Sequence, residues 1–187
     1  MLVFLDFEAS SLGKTSYPIE VGWVFEDGTT AEYLIRPAPT WTDWDAEAAA
    51  IHGIGRHELA NAAPHDEVAR IMVERLTGHD LLASAPSWDG KWLSTLLRTA
   101  GYPRHTLRLR KTDDAHREVA ERILAPLLPA HRIAEEVANL LTLTEMRAAD
   151  APPAHRALAD AMAERQQWCA VRDAAIARAA ALQNDAR

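Results

Sequence analysis

The sequence predicts an α/β protein built on one mixed sheet, in which a three-stranded antiparallel meander is continued by parallel strands and flanked by helices. Three observations carry that expectation. Residues 2–5 are a continuous apolar run closed by Asp6, the pattern of a central strand buried on both faces up to its exit. A second run alternates, with Ile19, Val21, Trp23 and Phe25 on one face and Glu20, Gly22 and Val24 on the other. Asp27-Gly28 then turns the chain into Tyr33-Leu34-Ile35, which Pro37 and Pro39 close. From residue 65 the apolar period changes from two to about 3.6 residues, so helices begin to alternate with short strands.

The elements follow in order. After the meander comes a loop-rich stretch with Trp41 and Trp44, and in Ile51-His52-Gly53-Ile54 the glycine breaks the helix tendency of the alanines before it. Val68, Ile71, Met72 and Leu76 outline a helix after Pro64, and Gly78 stops it. Residues 80–84 read as a short strand. Trp88, Trp92, Leu93, Leu96 and Leu97 form one face of the next helix, which ends before Gly101. Thr106 to Leu109 reads as a further strand. The remainder is mostly helical: Val119, Ile123 and Leu127 make one stripe, Ile133, Val137, Leu140 and Leu141 another, and a last helical run follows Pro152-Pro153 from about Arg156 to about Leu182. No internal repeat or low-complexity linker interrupts this order, so a single domain over 1–187 is expected, with a helical C-terminal part from about 113.

The composition of the 187 residues, 48% hydrophobic and 25% charged, excludes disordered and fibrous classes. Lys and Arg number 20 against 27 Asp and Glu, a net charge of −7. That balance argues against a protein that coats nucleic acid through a broadly basic surface, and it allows acidic groups to gather at a cation site. The single cysteine, Cys169, leaves no disulfide framework and no cysteine-rich zinc module, and it reads as a packing residue. The N-terminal residues carry no basic leader or small-residue cleavage site, and no apolar run approaches the roughly twenty residues that cross a bilayer. A soluble, cytoplasmic protein with no membrane partner is expected.

Three segments can carry chemistry. In Asp6-Phe7-Glu8, side chains two apart on a strand point to one side, so both carboxylates face one region and repel unless a positive charge lies between them. A hard divalent cation suits such oxygen ligands; the alternative is that the two acids only solvate the strand exit. In His155-Arg156-Ala157-Leu158-Ala159-Asp160, a spacing of five separates His155 and Asp160 by about 140° on a regular helix. The two can therefore meet at one site only if His155 sits on the turn entering the helix while Asp160 projects from its second turn; a helix-entry histidine and a solvated aspartate is the other reading. Asp89 stands between the short strand and the following helix, where it either caps the helix or joins a site at the strand ends.

Taken together, Asp6-x-Glu8 after an apolar strand, Ile19-Glu20-Val21-Gly22, Ile51-His52-Gly53-Ile54, Trp88-Asp89 and His155-(x)₄-Asp160 occur in the order seen in the DEDDh 3′-to-5′ exonucleases. That group includes polymerase proofreading subunits, ribonuclease T and oligoribonuclease, and the sequence resembles it over about residues 2–165. The resemblance implies a ribonuclease H-like fold. It also implies two divalent metal ions, Mg²⁺ or Mn²⁺, with Asp6, Glu8 and Asp160 as ligands of the first, Asp6 bridging to the second, Asp89 as the fourth acid acting through water, and His155 as the general base. By the same resemblance, Ala9, Ser10, Ser11 and Leu12 approach the 3′ end of the substrate, with Leu12 wedged against the last base and His52 and Ile54 on the opposite side. Such contacts tolerate any base, so the expected substrate is the end of single-stranded or short RNA or DNA, released as nucleoside 5′-monophosphates.

The chain departs from the family pattern where Ala9 and Ser11 replace the usual Thr and Gly, and where Ala85 replaces an Asn four residues before the acid. Those changes motivate a second expectation from another class: a catalytically weak nucleic-acid-binding or assembly domain that keeps the fold. Arg104-His105-Thr106-Leu107-Arg108-Leu109-Arg110-Lys111 would, if extended, put Arg104, Thr106, Arg108 and Arg110 on one side, either as a phosphate track or as a charge-protected strand edge. Trp41, Trp44, Trp88, Trp92 and Trp168 read as core or subunit-contact residues, Trp41 and Trp44 being the candidates for base platforms. Family members are often dimers, so the apolar C-terminal helices are candidates for a homodimer interface.

Overall fold

The structure is a computed structural model that describes residues 1–148 and 154–185. The described residues divide into two compact units, the first comprising Met1–Lys111 and residues 154–162, the second residues 112–148 and 163–185.

In the first unit, β1 (Leu2–Ala9), β2 (Pro18–Phe25) and β3 (Thr30–Arg36) form the antiparallel meander. They are joined by β4 (Ala63–Pro64), β5 (Asp80–Ala83) and β6 (Leu109–Lys111) in a six-stranded mixed sheet of order β4-β3-β2-β1-β5-β6. Strand β5 runs parallel to β1, and β6 parallel to β5. The fold is thus the expected ribonuclease H-like mixed sheet flanked by helices. Central position explains the apolar run of β1: Val3, Phe4 and Leu5 are fully buried.

The alternation read in β2 separates two faces. Val3, Leu5 and Phe7 of β1 and Val21 and Trp23 of β2 pack into the main core with Val68, Met72 and Leu76 of α2 (His65–Leu76) and Leu93, Leu96 and Leu97 of α3 (Pro86–Thr99). The other face of the two strands carries Asp6 and Glu8 opposite Gly22 and Glu20. A two-turn helix, α1 (Ala46–His52), ends at Gly53, whose φ of 70° is a left-handed cap that glycine accepts without a Cβ clash. Beyond it Ile54, Leu59, Tyr17 and Ile19 make a small satellite core.

Two sequence expectations are corrected here. The strand placed at Thr106 to Leu109 is confined to Leu109–Lys111, because Thr106 closes a turn onto Pro103 with both its amide (3.0 Å) and its hydroxyl (2.8 Å). Arg104, Thr106, Arg108 and Arg110 therefore do not line up along one extended edge. Arg110 is engaged by Asp80 at 2.6 Å, and residues 104–108 precede β6, at the end of the sheet away from the exit of β1. Second, Trp88 is exposed (39%) and stacks on Trp92 with ring centroids 5.8 Å apart, whereas Trp92 and Trp168 are buried as expected.

The second unit is helical. It holds α4 (Thr112–Leu124), α5 (Ala130–Ala148) and the continuation of α6 (Ala157–Asp185). Val119 and Leu124 of α4, Val137 and Leu140 of α5, and Trp168 and Val171 of α6 are buried, and Cys169 is half-buried. Arg178 is paired with Glu136 at 2.7 Å. Among the described residues no helix is long and apolar enough to cross a membrane. The Pro152-Pro153 turn expected ahead of the last helix lies outside the described residues.

Candidate active site

The site begins at the exit of β1. Extended backbone puts Asp6 and Glu8 on one side of the strand, and the antiparallel register sets Asp6 opposite Gly22 and Glu8 opposite Glu20. Asp160 reaches them from the first turn of α6, one turn earlier than the sequence suggested. Asp6, Glu8 and Asp160 each present a carboxylate oxygen within 4.8 Å of the other two, all partly buried. This set suits a hard divalent cation, which takes oxygen ligands and offsets their mutual repulsion. The Glu8 carboxyl shows the strain of the arrangement: burial, then the charges of Asp160 and Glu20, push its pKa from 4.5 up to about 7, with Arg156 pulling down and Asp89 adding to the rise.

Asp89 is nine-tenths buried and more, in the first turn of α3. It does not cap that helix: the cap position is Ala85, with no side-chain bond. It lies near enough to raise the pKa of Glu8 but outside the three-carboxylate cluster. His155 sits on the turn entering α6, exposed, with φ of 52°, the only left-handed non-glycine backbone among the described residues. Asp160 Oδ1 accepts the Ala154 N–H at 2.9 Å, closing that turn.

An open cleft of about 350 Å³ adjoins the carboxylates, lined by Glu8, Ala9, Ser11, Leu12, His52 and His155, with Trp92 and the outer side of α1 completing it. Leu12 is 68% exposed at its rim. His52 is buried. Its Nδ1 accepts the Ile54 N–H at 3.0 Å, so the proton of the neutral ring resides on Nε2, which has no hydrogen-bond partner among the described residues. Burial pushes the His52 pKa below its ordinary value, with Glu20 pulling the other way.

Two of the residues expected at the substrate have their side chains built into the scaffold. Ser10 is fully buried: it donates to Asp43 Oδ2 at 2.9 Å and accepts the Tyr17 N–H at 3.1 Å. Ile54 is 3% exposed in the satellite core, because Gly53 reverses the chain and turns it inward. Trp41 likewise stacks on Tyr17 at 5.2 Å, and Trp44 packs edge-on to His52.

Sequence reasoning missed three contributors. Asp43 accepts the Ser11 hydroxyl at 2.6 Å as well as that of Ser10, and these bonds hold its pKa below the ordinary value. Lys91 reaches across to the Gly13 carbonyl and to Ser16 Oγ, at 2.8 Å for the latter, so the loop after β1 is tied at both ends. Arg156 embraces the fully buried Glu20. Only this last left a signal in the sequence: a carboxylate in a strand that is otherwise apolar demands a cationic partner.

No protein-family model and no curated protein matches the chain. Solved structures do match its fold. The zinc-bound complex of Escherichia coli exonuclease I with single-stranded DNA has a TM-score of 0.62 at 18% identity, covering 88% of this chain and 38% of that one. A 3′-exonuclease described in the 3′-end-specific recognition of a histone mRNA stem-loop has a TM-score of 0.61 at 16% identity, covering 94% and 64%. A full-length 3′-exonuclease has a TM-score of 0.58 at 18% identity, covering 91% and 80%. The chain thus shares the fold of these exonucleases while spanning less than two thirds of the length of the first two.

Proposed function

We propose that the chain is a metal-dependent 3′-to-5′ exonuclease of the DEDDh type, acting on single-stranded or short RNA or DNA and releasing nucleoside 5′-monophosphates. The observation that carries this reading is the meeting of Asp6, Glu8 and Asp160, from two elements far apart in sequence, within 4.8 Å beside a cleft that His155 also lines. Asp6, Glu8 and Asp160 would hold one divalent ion, Mg²⁺ or Mn²⁺, and Asp6 and, through water, Asp89 a second. When bound, such ions supply Lewis-acid stabilisation of the attacking and leaving oxygens.

The remaining work belongs to the side chains. The exposed His155 imidazole can take a proton from the attacking water. Water adds to phosphorus, the bond to the 3′ oxygen breaks, and that oxygen recovers a proton. Leu12 and His52 would flank the terminal nucleotide, Leu12 by contact with the base and His52 by donating from Nε2. The weakly catalytic binding-domain alternative expects scattered carboxylates, and the convergence of three favours catalysis. A cytoplasmic location and a homodimer built on the C-terminal helices belong to the same proposal.

The test is an assay of end-labelled RNA and DNA oligonucleotides with Mn²⁺ or Mg²⁺. Stepwise shortening abolished by a chelator is expected, and intact oligonucleotides across both sugars and both metals would reject the reading.

A further inference from the structure

Glu20 and Gly22 are used by no step of the reaction described above, yet they occupy the two rungs of the β1–β2 ladder that face Glu8 and Asp6. Glu20 is fully buried, and a buried carboxylate is costly unless it is paired and hydrogen-bonded. Its partners all come from one short segment, 136 or 137 residues away. Arg156 Nε donates to both Glu20 oxygens at 3.1 Å and Arg156 Nη2 to Oε1, while Oε2 accepts the buried Ala157 N–H at 2.9 Å. Ala157 is the first residue of α6, so the carboxylate sits where the helix dipole favours negative charge.

Gly22 supplies the complementary steric condition. A Cβ at this position would overlap the backbone of Ala157 and Leu158, so only glycine lets the first turn of α6 lie directly against β2. The segment so held contains His155 in its left-handed conformation, which a non-glycine residue keeps only where its surroundings over-determine it. On its other side the turn is closed by Ala154 and Asp160.

We infer that Glu20, seated beside the bare backbone of Gly22, is the positioning residue of the site: through Arg156 and the Ala157 amide it sets the turn that places His155 and Asp160 over the two acids of β1. This inference rests on the exonuclease reading for its catalytic consequence, but not for its geometric one.

The experiment compares the wild-type chain with Glu20→Ala, Glu20→Gln and Arg156→Gln. In Glu20→Ala, kcat is expected to fall about 100-fold, the scale of an ångström-sized misplacement, with KM nearly unchanged. Mn²⁺ affinity, read by calorimetry, should fall about tenfold or more because a ligand's support is lost. Glu20→Gln, whose carbonyl still accepts the Ala157 amide, should recover part of both. Arg156→Gln should show the same falls in kcat and Mn²⁺ affinity more mildly, again with KM nearly unchanged, and these two variants carry the test if Glu20→Ala does not fold. Wild-type kcat and Mn²⁺ affinity in a folded Glu20→Ala, or a loss confined to the melting temperature, would overturn the inference. Hydrogen exchange over residues 154–160 needs no substrate: it should quicken in Glu20→Ala, and unchanged protection also overturns the inference. A wild-type chain that shortens no oligonucleotide would instead reject the exonuclease reading, leaving exchange and Mn²⁺ binding to decide the positioning role.

Discussion

Glu8 and Glu20 face each other across β1 and β2, two carboxylates on one rung, and they are treated oppositely by their surroundings. Glu20 is compensated by the Arg156 guanidinium and a backbone amide. Glu8 has the charges of Asp160, Glu20 and Asp89 around it, with Arg156 the offsetting charge. The sheet thereby separates an acid that is paired within the fold from an acid set mostly among like charges.

The raised pKa of Glu8, about 7 against an ordinary 4.5, sets a pH dependence. The folded, metal-free chain keeps a proton that the unfolded chain releases, so its stability falls as pH rises from about 4.5 to about 7. Glu8→Gln lacks this titration, and its melting temperature relative to wild type should climb across that window; a constant difference would contradict the assignment. Mn²⁺ binding, which needs the ionised form, should be markedly weaker at pH 6 than at pH 8 in wild type, with proton release seen in the buffer dependence of the heat.

Asp6→Ala and His155→Ala should separate ligand from base. Asp6 belongs to the carboxylate cluster and His155 does not. Asp6→Ala should lose both Mn²⁺ binding and turnover. His155→Ala should lower kcat by about 10²–10⁴-fold, the usual worth of a general base, with Mn²⁺ binding retained. Equal loss of binding in both would show that His155 acts as a ligand.

Asp43→Ala should loosen the loop after β1. It removes the acceptor of the Ser10 and Ser11 hydroxyls, and bonds to a charged acceptor contribute about 1.5–3 kcal/mol each at most. Urea denaturation should register a loss at the low end of that range, because Asp43 is only half-buried, and KM should rise several-fold as Ser11 and Leu12 lose their fixed place. Since the Asp43 pKa is depressed, this contribution is present above its ordinary value and fades as pH falls through the lowered one.

Ile54→Ala and His52→Ala should give opposite signatures, although the two residues lie two apart. Ile54 is in the satellite core, so its truncation should cost about 2–5 kcal/mol in denaturant with kcat little changed. His52 lines the cleft with Nε2 lacking a partner among the described residues, so its truncation should raise KM with a small stability effect. Reversed signatures would mean that Ile54 meets the substrate.

Gly22→Ala should be the most damaging one-carbon change in the site. Its methyl group meets backbone rather than a movable side chain, so the cost should reach about 2–3 kcal/mol in denaturant and kcat should drop with it. Wild-type stability would show that α6 can step away from β2 freely.

Much of this was legible in the chain itself. Apolar period alone marked β1, β2, α2 and α3 and told the two faces of β2 apart, because a strand's side chains alternate and a helix's recur every turn. The order of Asp6, Glu8, Asp89, His155 and Asp160 pointed to one site. Where the reading failed, a local turn competed with a pattern. Pro103 and Thr106 close a turn that an alternating run of arginines conceals. The loop anchor at Asp43 left no periodic trace, because hydrogen bonds between side chains more than thirty residues apart carry no spacing rule.

The sequence by itself determined which residues lie on which face of each strand and helix, since that follows from backbone geometry and solvent. Only the tertiary structure decided which faces meet. Glu20 reads as a polar residue on the second face of β2 until Arg156, 136 residues later, closes on it, and Gly22 reads as an interruption until the backbone of α6 fills its place. Period is a local property of the chain, whereas the pairing of a buried charge and the close approach of two backbones depend on contacts that exist only after folding.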